Sequence, residues 1–401
     1  MISVGIDVSK EKSTVCILKP YGEVISKPFE VKHTNSELYK LDEFLRRLDG
    51  EVRIVMEATG VYHLPILTFL CEKEYFVSVI NPYAMKKYAK DNNFRGAKTD
   101  RLDSITIANY GIDKWFKLQK YKKNDDVYSE LKFLGRQYRH YMEMHVTALV
   151  ELTHILDYVM PGIKTEFSSW SELNNKDKLC DFVERFWHCD LITAMSKEEF
   201  VDEYIAWAKE KKYHQNATKA TKLYELASNG IPTLPSNTTS TKMLVQEAIT
   251  VLRTIDSSLY SILTRMREIA KSLPEYSTVR AMGGVGDVLA LKLIAEIGDV
   301  RRLHSAKALI AVAGIDPPPY ESGQFIGTSR KISKRGSSTL RKVGYEVMRV
   351  LKCRSTPPQD DAVYNYILKK EAEGKSKKAA KIAGLNKFLR IYYARVMAVY
   401  Q

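Results

Sequence analysis

Over the first third of the chain, apolar and polar positions change in short steps. Ile2-Ser3-Val4-Gly5-Ile6-Asp7 is an apolar run that closes on an acid and predicts a strand. Strands are also predicted at residues 13–19 and 23–31, separated by the turn Pro20-Tyr21-Gly22. Residues 52–57 form another that again closes on an acid, and residues 75–80 one stopped by Asn81-Pro82. Thr34-Asn35-Ser36-Glu37 reads as a helix start, after which Leu38, Leu41, Phe44 and Leu45 keep helical spacing. Residues 62–70 are apolar at helical intervals, and a further helix contains 104–110. Three adjacent antiparallel strands followed by alternating helix and strand predict a ribonuclease H-like α/β fold for residues 1–115.

From about residue 127 the period lengthens. Val127, Leu131, Leu134, Tyr138, Tyr141, His145, Ala148, Leu152, Ile155 and Val159 step by three and four, a heptad seam weakened at His145 and Ala148 and ended by Pro161-Gly162. A second seam comprises Leu244, Ala248, Val251, Ile255, Ser258, Ile262, Met266, Ile269 and Leu273, has one irregular step, and ends at Pro274. Together they predict a coiled-coil helical middle, residues 116–273. The two helices either lie antiparallel in one chain or pair with another subunit, and a plain helical bundle is the competing reading. Residues 163–240 look like an insertion, with Trp170, Phe182, Phe186, Trp187, Tyr204 and Trp207 available for a small helical core. Residues 228–241, with Pro232 and Pro235 amid Ser, Thr and Asn, read as a linker. Residues 274–401 form a mainly helical third domain. Its Met282-Gly283-Gly284-Val285-Gly286 would let backbone amides approach a phosphate, helped by the helix from Asp287; a tight turn between packed helices uses glycine in the same way.

Composition narrows the partners. The 401 residues carry 62 Lys and Arg against 48 Asp and Glu, a net charge of +14 that favours a polyanion. Five scattered cysteines without a CxxC pair make no disulfide framework, and His188-Cys189 with Cys180 lacks a fourth zinc ligand. No apolar run approaches the roughly 18 residues of a membrane helix, and the start does not read as a signal peptide. A cytoplasmic protein without membrane contact is expected.

Four acids stand out. Asp7 and Glu57 end strands, and Asp100 and Asp103, three apart, share a helix face. Such acids converge on hard cations, Mg²⁺ (or Mn²⁺), and two ions about 4 Å apart would stabilise both attacking and leaving oxygens in phosphodiester cleavage. A single Asp is more often a cap or surface charge, but Glu57 between Met56 and Ala58 is costly unless paired. Lys86, Lys87, Lys90, Arg95 and Lys98 precede Asp100 and suit nucleic-acid positioning. A second constellation runs from Pro317-Pro318-Pro319-Tyr320-Glu321-Ser322-Gly323 to Gly336, with Arg330, Lys331, Lys334, Arg335, Arg341 and Lys342. Such cations would hold the phosphate for a serine nucleophile. The residues leave Ser322, Ser329, Ser333, Ser337 and Ser338 open, and a phosphate-gripping loop without covalent chemistry uses the same run. A third basic cluster, Lys375, Lys377, Lys378 and Lys381, precedes an aromatic-basic helix with Phe388, Arg390, Tyr392, Tyr393 and Arg395.

Gly5-Ile6-Asp7, Met56-Glu57-Ala58-Thr59-Gly60, Val79-Ile80-Asn81-Pro82 and Lys98-Thr99-Asp100 with Asp103 resemble the DEDD transposases of bacterial insertion sequences. That family includes the Piv DNA invertases and the bridge-RNA-guided recombinases. Gly284-Val285-Gly286, Ala313-Gly314, Tyr320-Glu321-Ser322-Gly323, and the run from Arg330 to Gly336 with Leu340-Arg341 extend the resemblance to about 1–160 and 243–401. It implies a RuvC-like domain, a coiled-coil middle and a C-terminal transposase domain. It places a Mg²⁺-binding tetrad on Asp7, Glu57, Asp100 and Asp103 and the nucleophile on Ser322; the basic clusters themselves supply the expected nucleic-acid contacts, Lys86, Lys87, Arg95, Lys98, Arg330, Lys331, Lys334, Arg335 and Arg341. It further implies DNA cleavage and rejoining, choice of DNA by an element-encoded bridge RNA, dimers that pair into tetramers on DNA, and work at the nucleoid. The segment 163–240 departs from the compact pattern. A metal-dependent nuclease of the Holliday-junction resolvase type is the alternative, since it needs only the four acids and water.

Overall fold

In a computed structural model the chain divides into two compact units, Met1–Lys123 and Asn124–Gln401. The structure describes residues 1–92, 99–122, 125–167, 175–318, 321–322, 325–326, 331–353 and 361–401. No helix among them is long and apolar enough to cross a membrane.

The first unit is built on strands β1 (Ile2–Val8), β2 (Lys12–Leu18), β3 (Val24–Lys32), β4 (Val52–Glu57) and β5 (Phe76–Ile80) with helices α1 (Asn35–Arg46), α2 (Leu64–Glu72), α3 (Pro82–Asn92) and α4 (Asp100–Asp113). The sheet order is β3-β2-β1-β4-β5. The first three strands pair antiparallel, and β4 joins β1 in parallel, with Ile6 opposite Met56. This is the mixed α/β arrangement read from the alternation of short runs. Along β1 the two-residue period sends Ile2, Val4 and Ile6 into a core shared with Leu38, Leu41 and Leu45 of α1 and Ile66, Leu67 and Leu70 of α2. Ser3 and Gly5 face the opposite side, where α4 crosses. A Cβ at Gly5 would collide with the backbone of Ser104 and Ala108, and one at Gly111 with the Ser3 hydroxyl. The chain after α4 folds back onto the sheet: Arg53 lies between the rings of Phe76 and Trp115, 4.6 and 4.5 Å away, and Tyr121 N–H donates to the Val77 carbonyl.

The second unit is helical: α5 (Asp126–Val159), α6 (Lys178–Arg185), α7 (Cys189–Thr193), α8 (Lys197–Glu210), α9 (Ala217–Asn229), α10 (Thr239–Lys271), α11 (Tyr276–Arg280), α12 (Asp287–Ile297), α13 (Ala306–Ala313), α14 (Ser338–Lys352), α15 (Ala362–Ala372) and α16 (Lys377–Val399). A two-stranded ladder, β6 (Glu321–Ser322) and β7 (Phe325–Ile326), pairs Ser322 with Phe325. Helices α5 and α10 lie antiparallel, because Glu130 meets Arg265 and His145 meets Asp256. On α5 the sequence seam is the buried seam: Leu131, Tyr138, His145, Leu152 and Val159 are all buried. On α10 the seam read from the apolar residues is buried at Ile255, Met266 and Ile269 but displaced toward its start. Leu244 and Val251 are 46% and 52% exposed, while Val245, Ile249, Leu252, Asp256, Leu259, Leu263, Met266 and Ala270 are buried at unbroken four-three spacing. The true row carries Asp256 in its middle, so a search for apolar residues steps off it onto a second stripe.

His145 Nδ1 and Asp256 Oδ1 are 2.5 Å apart, with both residues buried. Burial pushes the Asp256 carboxyl up and His145 pulls it back. This polar layer separates two apolar clusters. One joins the start of α5 and the end of α10 to Leu291, Leu340, Leu385 and Phe388 of the C-terminal helices. The other joins the end of α5 and the start of α10 to Phe182, Phe186, Trp187, Phe200, Tyr204 and Trp207. The segment read as an insertion is thus a helical cap on the far end of the long pair; Trp170 lies outside the described residues. The stretch read as a linker is pinned to α5 and to the cap, with Thr233 N–H donating to the Tyr158 carbonyl and His188 Nε2 bonded to the Leu234 carbonyl.

Gly5→Val should destabilise the first unit by about 1–3 kcal/mol or more, since the obstacle is backbone that cannot repack; urea unfolding of the full chain would show it. His145→Leu or Asp256→Leu alone should cost about 3–5 kcal/mol by stranding a buried partner, and the double variant should recover most of that loss. Additive losses in the double variant would contradict the paired-layer account.

Candidate functional site

Asp7 follows Ser3 and Gly5 by the two-residue period and so shares their face of β1. Glu57 follows Val55, which packs against Met85 and Ile107 on that same side. With Ile6 opposite Met56 in a parallel pair, the two acids end adjacent strands at one edge. The helix brings the other two. Gly111 lies over Ser3, and Ala108 and Ser104 lie over Gly5. Two strand residues advance about 6.6 Å and four helix residues about 6 Å, so the next step sets the turn of Asp100 and Asp103 toward the level of Asp7. Thr99 caps that turn by accepting from Leu102 N–H at 3.2 Å, and carboxylates there are favoured by the helix dipole. Asp7, Glu57 and Asp103 are half-buried and Asp100 is exposed. Asp7, Glu57 and Asp103 each interact with other groups of the chain. Among the described residues no three His, Cys, Asp or Glu side chains lie close enough to enclose an ion. What converges is the strand ends and the helix turn.

Beside this edge, α3 is fixed by buried Met85 and by Tyr88, whose hydroxyl donates to Asp113 at 2.6 Å and whose ring meets Tyr110 edge-on at 5.1 Å. Lys86 and Lys87 are exposed on it. Arg95 and Lys98 lie outside the described residues. Tyr62 and Tyr83, on the segments leaving β4 and β5, are 41% and 56% exposed. They were not singled out from sequence, where Tyr62 reads as the start of an apolar helical run; Leu64 is where the helix begins. Exposed aromatic faces can stack on unpaired bases.

In the second unit the serines separate. Ser333 Oγ donates to Asp316 at 2.6 Å and accepts from Arg335 N–H, and Ser337 Oγ donates to Glu296 at 3.0 Å while accepting from Leu340 N–H as the cap of α14. Both hydroxyls hold the loop together. Lys334 N–H bonds the Gly314 carbonyl and Ser337 N–H the Val312 carbonyl, and side chains at Gly314 or Gly336 would collide with the opposing segment. Arg341 Nη1 donates to the Ala313 and Gly336 carbonyls, both at 3.0 Å, so it clamps this turn from within rather than standing out from it. Lys331, Lys334 and Arg335 are exposed. Ser338 is exposed at the first position of α14. Ser329, Arg330 and the side chain of Ser322 lie outside the described residues.

Packing bears on two further sequence motifs. A side chain at Gly283 would collide with the Asp361 carboxylate and one at Gly284 with the Val347 carbonyl and Leu351, so these two glycines serve close contact between packed helices, while Gly286 at the start of α12 faces open space. His188 accepts from Asp190 N–H at 3.0 Å through Nδ1 while Nε2 bonds the Leu234 carbonyl at 2.9 Å. Both ring nitrogens are engaged, and burial pushes the Cys189 thiol up to about 11, which disfavours the thiolate that zinc requires.

Comparison with known proteins identifies two family matches along the chain. Residues 4–161 match the family model described as a transposase of the IS110 DEDD group, and residues 276–365 match the model described as transposase IS116/IS110/IS902 family. The insertion element IS116 uncharacterized 44.8 kDa protein of Streptomyces clavuligerus is 23% identical over 375 residues, 93% of this chain and 89% of that one. The pilin gene-inverting protein of Moraxella bovis is 21% identical over 343 residues, 86% of this chain and 79% of its own. Among solved structures, Thermus thermophilus RuvC aligns over 30% of this chain and all of its own, with 13% identity and a TM-score of 0.24. Carrying both transposase domains in order, with full-length relatives among insertion-element and gene-inverting proteins, the chain belongs to the IS116/IS110/IS902 transposase family.

Proposed function

We propose that this chain is the transposase of an insertion sequence and recombines DNA by cutting and rejoining strands at two sets of residues. The observation that carries the reading is the register that sets Asp7, Glu57 and the Asp100–Asp103 turn at one end of one sheet face. Four carboxylates and no nitrogen or sulfur donor suit a hard cation, so Asp7, Glu57, Asp100 and Asp103 would hold Mg²⁺ or Mn²⁺. Bound there, the metal would polarise a phosphoryl oxygen and offset developing charge.

The chain's own residues then have distinct tasks. Lys86 and Lys87, with Arg95 and Lys98 ahead of α4, grip the DNA backbone. Ser322 attacks phosphorus: its Oγ–P bond forms, the P–O bond to one deoxyribose breaks, and the hydroxyl proton leaves to a base while the departing alkoxide is protonated. Attack by a hydroxyl of another strand reverses these events and restores both the serine and a phosphodiester. Lys331, Lys334 and Arg335, with Arg330, offset the phosphate charge, and Arg341 holds their turn in shape. The acids and Ser322 belong to different compact units; completion of the site by a second copy in a dimer or tetramer is what the family resemblance implies. An element-encoded RNA paired to DNA would supply sequence choice. The competing reading, a resolvase-type nuclease, uses the acids and water alone, and it draws on their location in one unit.

Asp7→Asn and Glu57→Gln should each slow strand cleavage by about 10²–10³-fold or more while DNA binding persists; cleavage at the original rate would end the metal-site reading. Ser322→Ala should abolish the covalent protein–DNA link and rejoining. Ser333→Ala and Ser337→Ala should keep both while losing about 1 kcal/mol of stability each. Full cleavage by Ser322→Ala, with no covalent species in the unaltered protein, would favour the nuclease.

A further inference from the structure

The basic surface at the C terminus takes no part in either site. Residues 374–401 contain seven Lys and Arg and no Asp or Glu, half of the net charge of +14. Lys375, Lys377 and Lys378 are exposed, and Lys381 is half-buried. They crowd the first turns of α16, which Ser376 caps by accepting from Ala379 N–H. That end of a helix carries the positive pole of its dipole and normally attracts acids. Here cation is set upon cation, and no acid stands in the first turn. The nearby acids are already matched, Glu371 with Lys352 at 3.0 Å and Glu373 with Lys370 at 2.6 Å. Among the described residues no carboxylate forms an ion pair with Lys377, Lys378, Lys381 or Lys387. An arrangement so unfavourable within the protein calls for an anion from outside.

We propose that this surface binds the phosphate backbone of duplex DNA without reading sequence. The side chains identify the partner. Lysine outnumbers arginine five to two in the segment, and lysine acts as a point charge without the fork that reads guanine. The aromatic rings needed to stack on unpaired bases are engaged elsewhere. Phe388 and Tyr392 are buried, Tyr393 donates to the Leu303 carbonyl, and Tyr366 is flanked by Lys370 and Lys387 at 5.3 and 5.0 Å. Backbone contact alone suits a duplex better than a single strand. The proposal rests on the reading of the chain as a DNA-handling enzyme, but it concerns affinity and not chemistry.

The test is the full chain with Lys375, Lys377, Lys378 and Lys381 all changed to Gln, assayed on a random-sequence DNA duplex across a salt series. Each lost phosphate contact removes about 0.9 from the slope of log affinity against log salt, so the slope should flatten by about 3 to 4, and affinity at physiological salt should fall about tenfold or more. The melting temperature should hold or rise, because like charges leave a helix N-terminus; a scaffold role would lower it. An unchanged slope overturns the proposal, as does a loss confined to duplex RNA. Should the Gln variant fold poorly, the single Lys→Gln variants decide: each should flatten the slope by about 0.9, and unchanged slopes overturn the proposal. Asp7→Asn leaves this slope in place, so failure of the catalytic reading and failure of this one are separable.

Discussion

Helix α4 can lie on β1 only because position 5 carries no side chain. With any other residue there, the Ser104–Ala108 backbone would have to lift by the size of a methyl group or more, and the whole helix would lift with it. The consequence reaches the first turn of α4, where Asp100 and Asp103 stand. Separation of that turn from the edge of β1 and β4 would leave Asp7 and Glu57 as two acids at a strand end, too few oxygens for a divalent cation to exchange for its water. The tight backbone contact at Gly5 is thus also a condition for the proposed metal site, and the apolar core on the other face of the sheet supplies the stability to hold it.

Much of the first unit was legible because the strand period is short and the acids interrupt it at its ends. Asp7 and Glu57 stand out as charges closing apolar runs, and parallel pairing of those two runs places them side by side. The two-residue period even fixes which face they share. Illegible from sequence was where the helix that completes the set would lie. Nothing in residues 100–113 states which strand it crosses; that information resides in Gly5 and Gly111, whose meaning appears only when the surfaces meet. The exposure of Tyr62 and Tyr83 was hidden for a similar reason, since an aromatic in an apolar run looks like core until the helix start is known.

The second unit shows how a buried charge misleads a reading by hydrophobicity. On α10 the contact row is regular to the residue, yet its central member is Asp256, and the adjacent apolar stripe offers an easier path. On α5 the same layer is His145, which also weakened its seam, but the flanking residues were apolar enough to keep the row in view. The two irregularities are one feature, a hydrogen-bonded pair across the helices. A polar layer of this kind fixes register, because sliding either helix by one heptad would bury each partner against hydrocarbon. The layer also lies where the C-terminal core ends and the cap begins, so it sets the alignment of both.

The serines of the C-terminal loop follow from the same accounting of polar partners. Sequence alone left five of them equal, because a hydroxyl near cations looks the same whether it attacks a phosphate or holds a turn. Geometry separates them by what their hydrogen bonds already do. Ser337 both caps α14 and bonds Glu296, and Ser333 both bonds Asp316 and supports Arg335. Attack by either would require breaking the contacts that shape the loop around the phosphate, so catalysis would dismantle its own binding site. A nucleophile is better placed on a segment outside that bonded frame. Ser338 is exposed at the start of α14, and the side chains of Ser322 and Ser329 lie outside the described residues, so the proposal of Ser322 rests on its place in the Tyr-Glu-Ser-Gly motif on a segment that precedes the frame. The proposed division, a rigid basic turn to hold the phosphate and a separate serine to attack it, follows from the cost of asking one hydroxyl to do both.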